Sequence, residues 1–345
     1  MTVYSGTFDV RDEQLMRRAI GTALQARLVA RPNPWVGAVV VALDGSTYEG
    51  CTAAPGGPHA EIAALSRAGT ASRGATLYST LEPCSHTGRT GPCTRAIIDA
   101  GISRVVIGVV DPDEKVAGRG IEQLRSAGIT VDVGACAAHV SSQLAPYLHH
   151  RRTGRPWVVL KMASTLDGRT AAADGSSRWI TGEVARQRVH ELRAESDAVL
   201  VGAGTVRADD PSLTVRDAEG PSPRRIVLGT APTHAKVHPC TEWSGDLPPL
   251  LDSLGSDNVL QLLVEGGARV AADFHRNGLV NRYVFHLAPA IMGGDDAPGV
   301  FTGAAAPTIA DMWRGTVTSV QQLGSDVEVV VEPIQKTSDE RQGPR

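Results

Sequence analysis

Apolar positions along the chain alternate between helical spacing and short unbroken runs, the rhythm of an α/β protein. Leu15, Ala19, Ala23, Leu24 and Leu28 share one helical face and predict an amphipathic helix over Asp12–Val29. Val36–Leu43 is an apolar strand that runs into Asp44-Gly45, a strong hairpin signal. A short helix over His59–Ala68, stopped by Gly69, precedes a strand over Ala75–Thr80. Cys93–Ala100 reads as a helix closed by Gly101, Arg104–Val110 as a buried strand, Gly120–Ala127 as a helix and Thr130–Val133 as a strand. Alternating elements of these lengths predict a three-layer α/β domain.

The polar, basic stretch His149–Pro156 interrupts the rhythm and is where the pattern divides the chain. The expected organisation is one domain over residues 1–150, a second over 151–334 and a disordered polar tail over 335–345. In the second domain, strands are expected over Trp157–Met162, Ala198–Val201, Arg225–Leu228, Leu260–Val264, Tyr283–Leu287 and Glu328–Glu332. Helices over Glu183–Arg193 and Ala268–Asn277 separate some of them.

Length and composition narrow the class. At 345 residues two domains are favoured over one, and 42% hydrophobic with 21% charged residues is the balance of a soluble globular protein. A net charge of −3 with scattered Lys and Arg argues against a nucleic-acid partner. No secretory leader and no apolar run long enough to span a bilayer are visible, so a cytoplasmic location without a membrane partner is expected. The five cysteines are an odd count that speaks for reduced thiols. Cys51, Cys136 and Cys240 have no suggestive neighbours and read as structural thiols.

Cys84 and Cys93 differ, because His59-Ala60-Glu61 opens one helix while Pro83-Cys84 and Cys93 fall in a loop and at a second helix start. One imidazole and two thiolates satisfy three of the four tetrahedral positions of zinc and leave one for water. The helix N-terminus favours the thiolate at Cys93. Glu61, beside a ligand without being one, can carry the proton from that water to a leaving amine. His-x-Glu with Pro-Cys is the pattern of zinc deaminases, although eight residues separate Cys84 from Cys93 where Cys-x-x-Cys is usual. A purely structural zinc module would normally show a fourth protein ligand, and a nucleic-acid-editing deaminase a basic groove.

The intervening loop, Glu82-Pro83-Cys84-Ser85-His86-Thr87-Gly88-Arg89-Thr90-Gly91-Pro92-Cys93, resembles that of the bifunctional deaminase/reductases of riboflavin biosynthesis. Pro32-Asn33-Pro34-Trp35-Val36-Gly37, Asp111-Pro112-Asp113 and Val116–Gly120 extend the likeness, which covers roughly residues 12–333. The resemblance implies a cytidine-deaminase-like first domain that removes an amine from a diamino-ribosylamino-pyrimidinone 5′-phosphate. It implies one zinc per chain on His59, Cys84 and Cys93, Glu61 as catalytic proton carrier, and substrate contacts from Asn33, His86, Arg89 and Asp111. The chain departs from the family at Arg31, where His is usual, and at Asp113, where Asn is usual.

In the second half, Lys161–Arg169, Ser177–Thr181, Gly202–Pro211, Leu213–Arg216, Val264–Gly267 and Ala288-Pro289 continue the likeness. Gly202-x-Gly204 lacks the third glycine of a Rossmann fingerprint, whereas Glu265-Gly266-Gly267 opening a helix suits an anionic group. The resemblance implies a dihydrofolate-reductase-like domain in which NADPH reduces the ribosyl group of the deaminated product to ribityl. It implies substrate contacts from Ser177, Arg193, Asp209, Leu213, Arg216 and Glu265. The cofactor side would comprise Ala163, Trp179, Thr205, Asp209, Gly266 and Gly267. Gly229 stands where the family commonly has Asp, and Thr230–Pro249 looks shorter than usual, as if a strand were missing before Leu250. A deaminase with a degenerate second domain is the rival reading. The expected partner is a small pyrimidine-nucleotide-like substrate, with the chain acting as a homo-oligomer.

Overall fold

The hairpin foreseen at Asp44-Gly45 forms, joining strand β1 (Gly37–Val41) to β2 (Thr47–Cys51) in antiparallel register. The computed structural model describes residues 8–86 and 91–334, which divide into two units between Arg155 and Pro156. In the first unit β1 also pairs antiparallel with β3 (Thr76–Leu81). Parallel pairing then adds β4 (Arg104–Val109) and β5 (Thr130–Val133), for the order β2-β1-β3-β4-β5.

Around this sheet lie α1 (Val10–Ala23), α2 (Ala60–Ala68), α3 (Cys93–Asp99), α4 (Arg119–Ser126), α5 (Ala137–Gln143) and α6 (Ala145–Thr153). The buried face of α1 is rotated from the expected one. Met16, Ala19 and Ala23 are inside, while Leu24 is 55% exposed. Helix α2 sits directly on β2, because a Cβ at Gly50 would come within 2.3 Å of the Ala60 carbonyl oxygen. His149–Thr153 is the last turn of α6 rather than a linker, and Gly154 (φ +72°) caps it, so the units part at 155/156.

The second unit is built on a sheet of order β12-β13-β11-β6-β10-β7-β8-β9. Its parallel part comprises β6 (Trp157–Thr165), β7 (Ala198–Gly202), β8 (Arg224–Leu228), β9 (Thr241–Trp243), β10 (Gln261–Val264) and β11 (Arg282–Ala288). The last two strands, β12 (Gly315–Leu323) and β13 (Asp326–Pro333), are antiparallel. Helices α9 (Leu247–Ser256) and α10 (Ala268–Arg276) pack on one face through Leu250, Leu251, Leu254 and Phe274. Helices α7 (Glu183–Ala194) and α8 (Ala203–Asp209) pack in a separate cluster through Leu192 and Val206. The stretch before Leu250 does hold a strand, β9, short and at the sheet edge. Gly229 also has a local cause. It turns with φ +93°, a conformation Asp adopts only under strain, and its N–H donates to the Trp243 carbonyl at 2.7 Å.

No helix among the described residues is long and apolar enough to cross a membrane.

Candidate active sites

Strand register gathers the first site at one sheet edge. Gly37 lies opposite Cys51, Ala38 opposite Ser79, and Leu81 beside Val109. The segments that enter β1 and leave β2, β3 and β4 therefore meet there, carrying Asn33, His59, Cys84 with His86, and Asp111 respectively. His59 is the residue before α2, and Cys93 is the first residue of α3.

The three metal-class side chains converge. His59 Nδ1 is 3.6 Å from Cys84 Sγ and 3.2 Å from Cys93 Sγ. A tetrahedral zinc with ordinary bond lengths holds nitrogen and sulfur about 3.6 Å apart, so the donor set fits that ion. The Cys93 N–H donates to Cys84 Sγ at 3.4 Å. Cys93 and His59 together hold the Cys84 thiol down to about 4, while its thiolate neighbour and burial push Cys93 up, so the thiolate expected at the α3 N-terminus falls on Cys84 when no cation lies between them. Glu61, in the first turn of α2, is only 4% exposed, and burial, reinforced by Cys84, pushes its carboxyl up to about 7.

Two residues that pattern reading missed build the frame. Glu82 is buried and accepts the backbone N–H groups of Asp111 (3.3 Å), Gly118 (3.0 Å), Gly120 (2.9 Å) and Ile121 (3.3 Å), tying the Cys84 loop to the start of α4. Tyr147 of α6 donates to Asp111 at 3.0 Å, and burial raises the Asp111 carboxyl to about 6. The only sequence signal for Glu82 was a charged residue directly after an apolar strand. Asn33 is half-buried and His86 exposed at this edge, whereas Arg89 lies outside the described residues. Asp113 forms an ion pair with Arg151 at 3.4 Å, a local tie between its loop and α6.

The second site opens at the carboxyl ends of β7 and β10. Helix α8 leads from β7 away to β8, whereas α10 leads from β10 back to β11, and the two helices belong to separate clusters. That is a topological switch point, where open α/β sheets bind ligands. Gly266 must be glycine, since a Cβ there would meet Val270 side-chain atoms at 2.5 Å. Gly267 precedes the first residue of α10 and faces Thr205 across ordinary contact distance, and Gly204 has open space around it. Trp179 is 70% exposed, with the Arg186 guanidinium 4.6 Å from its ring centroid. Arg178 pairs with the Asp209 carboxylate at 3.8 Å, and Ser177 is half-buried beside it in sequence. Ala163 is half-buried on β6, opposite His286.

Three matched residues stand differently from a simple ligand contact. Arg193 gives its fork to Glu265, with Nε–Oε1 at 2.7 Å and Nη2–Oε2 at 2.8 Å. Burial opposes ionisation of Glu265, but that guanidinium holds its carboxyl below the usual range. Leu213 is 2% exposed within the core, so its side chain is not offered to a ligand. Arg216 is the outward-facing cation, its Nη1 touching the hydroxyls of Ser212 and Thr214. Lys161, a charge inside the apolar run Trp157–Met162, joins the group, and burial pushes its ammonium down to about 8 beside Glu265.

These sites can be set beside known proteins. The cytidine and deoxycytidylate deaminase zinc-binding region matches residues 9–109, and the RibD C-terminal domain matches residues 156–329. The chain thus joins a cytidine-deaminase-like domain to a dihydrofolate-reductase-like one, the class of deaminase/reductase enzymes. It is 40% identical over 326 residues to the riboflavin biosynthesis protein RibD of Mycobacterium tuberculosis, covering 91% of this chain and 95% of the relative. Against Escherichia coli RibD it is 36% identical over 361 residues, covering 92% and 98%. The solved structure of Acinetobacter baumannii RibD superposes with a TM-score of 0.88 at 36% identity, covering 94% of this chain and 99% of that one. A deaminase/reductase from Thermotoga maritima gives 0.84 at 35%, covering 93% and 98%. This chain belongs to the RibD family, the bifunctional deaminase/reductases of riboflavin biosynthesis. With both domains matched, the reading of a degenerate second half falls away.

Proposed function

We propose that His59, Cys84 and Cys93 hold one zinc per chain and that Glu61 moves the proton in hydrolytic deamination of a diamino-ribosylamino-pyrimidinone 5′-phosphate. The observation that carries this reading is the convergence of one imidazole and two sulfurs beside a buried carboxyl. Bound zinc supplies the Lewis acidity that makes water a nucleophile near neutral pH. Glu61, with its carboxyl near 7, takes the proton from the attacking water and returns it to the leaving amine, which departs as ammonia. Asn33, His86 and Asp111 contact the ring and sugar, and Arg89 the phosphate.

In the second unit, the deaminated product is reduced at its ribosyl group, with NADPH as hydride donor. Gly266, Gly267 and Thr205 form the phosphate side of the cofactor crevice, and Trp179, Ala163 and Asp209 its nicotinamide side. Arg216 binds the substrate phosphate, with Ser177 and Asp209 on the sugar. Arg193 acts by holding Glu265 ionised and oriented, and Leu213 contributes only through its backbone. The family likeness also favours a cytoplasmic homo-oligomer, a state that light scattering on the purified chain measures.

The test is purified chain with the diaminopyrimidine phosphate and separate readouts of ammonia release and NADPH oxidation. Both signals are expected, ammonia first, and faster oxidation with NADPH than with NADH. Folded, zinc-loaded protein that releases no ammonia contradicts the deaminase assignment, and equal use of NADH contradicts the cofactor assignment.

A further inference from the structure

We propose that His238, Cys240 and Glu242 form a second zinc-class metal site, at the edge strand of the second unit. His238 and Cys240 lie in the turn that leads into β9, and Glu242 lies within that strand, so a bend and a short strand bring the three together. One ligand atom from each lies within 4.8 Å of the other two, and His238 Nδ1 is 3.5 Å from Cys240 Sγ. That separation matches the roughly 3.6 Å of a tetrahedral zinc–imidazole–thiolate pair, as at the deaminase site.

The surrounding backbone prepares two of the three donors. His238 Nε2 lies 3.0 Å from the Pro232 carbonyl, which can only accept, so the ring proton sits on Nε2 and the lone pair on Nδ1. The Ala231 N–H donates to Glu242 Oε1 at 2.9 Å, which orients the carboxylate and leaves its other oxygen available. Metal-binding imidazoles and carboxylates are commonly supported in this way, by a carbonyl or amide behind the ligand. Cys240 is half-buried against the core and the other two are exposed, so the site is reachable from solvent with an anchored sulfur.

The donor set names the ligand class. Thiolate with imidazole selects zinc and its borderline neighbours over magnesium or calcium, and three protein ligands leave a fourth position for water. Binding replaces the Cys240 thiol proton, and the resulting thiolate and carboxylate balance the ion's two charges. Strand β9 is three residues long, lies at the sheet edge beside β8, and bridges to Gly229 through Trp243. A metal here staples it to the 231–238 turn and steadies Trp243, which lines a surface groove with Leu228, Gly229 and Asp273. The site lies in the stretch where this chain departs from its family's pattern, and Cys240 is thereby more than a structural thiol.

Equilibrium dialysis of the full chain against micromolar free Zn²⁺, followed by elemental analysis, tests the site. Two zinc per chain are expected for the native protein and one for Cys240→Ala or Glu242→Gln, with an unchanged urea midpoint of the second unit in the presence of a chelator as a check on folding. The Cys84→Ser/Cys93→Ser protein should also keep one. Native protein that holds a single zinc, or Cys240→Ala protein that still holds two, overturns the proposal.

Discussion

The two sites of this chain differ in how each handles charge. In the first unit the reactive groups are brought face to face, one imidazole and two sulfurs beside a buried carboxyl. His59, Cys84 and Cys93 stand within bonding range of one ion, and Glu61 is buried beside them with its carboxyl near 7. In the second unit the buried charges are already paired. Glu265 is clasped by Arg193 and flanked by Lys161, and the outward cation is Arg216. The first arrangement offers donors that a metal could complete, and the second completes its charges within the protein. A centre of the first kind loses chemistry when one group is changed, whereas a centre of the second kind loses structure as well.

That contrast can be broken by substitution. Glu61→Gln should keep the His59-Cys84-Cys93 zinc yet lower ammonia release by ~10²–10⁴-fold or more, since general acid–base help is worth that much. Elemental analysis showing that zinc gone in the variant would make Glu61 a ligand. Arg193→Met strands the buried Glu265 charge and should destabilise the second unit by about 3–5 kcal/mol, read as a lowered urea midpoint of that unit. An unchanged midpoint would mean that Glu265 finds another partner. Gly266→Ala forces α10 to shift around Val270 and should cost about 1–3 kcal/mol, with KM for NADPH raised several-fold. The smallest effect on stability is expected from Trp179→Ala. Its ring is exposed, so unfolding should change by less than about 0.5 kcal/mol while KM for NADPH rises. A variant with native KM would remove Trp179 from the cofactor side.

Much of this was legible in the chain. Asp44-Gly45 fixes a hairpin, Gly69 stops α2, and the His59/Cys84/Cys93 spacing carries its own chemistry. What escaped reading escaped for physical reasons. Helix α9 carries Pro248 and Pro249 in its first turn, residues that read as loop yet fit there. Strand β12 has an almost wholly exposed, polar run and shows no alternation, and β9 is too short for a period. Helices α5 and α6 offer few apolar positions, and a residue with φ +51°, Cys136, precedes α5. Burial is the property that sequence conveys least. It decides that Leu213 belongs to the core and that Arg193 serves Glu265, although both occupy family positions.

The central claim is that two chemistries sit on two separately cored units of one chain. It is tested most directly by the rate at which Cys84→Ser protein oxidises NADPH when supplied with the already deaminated substrate. The account predicts a rate within about twofold of native while ammonia release is abolished. Loss of both activities in protein that remains folded would contradict it.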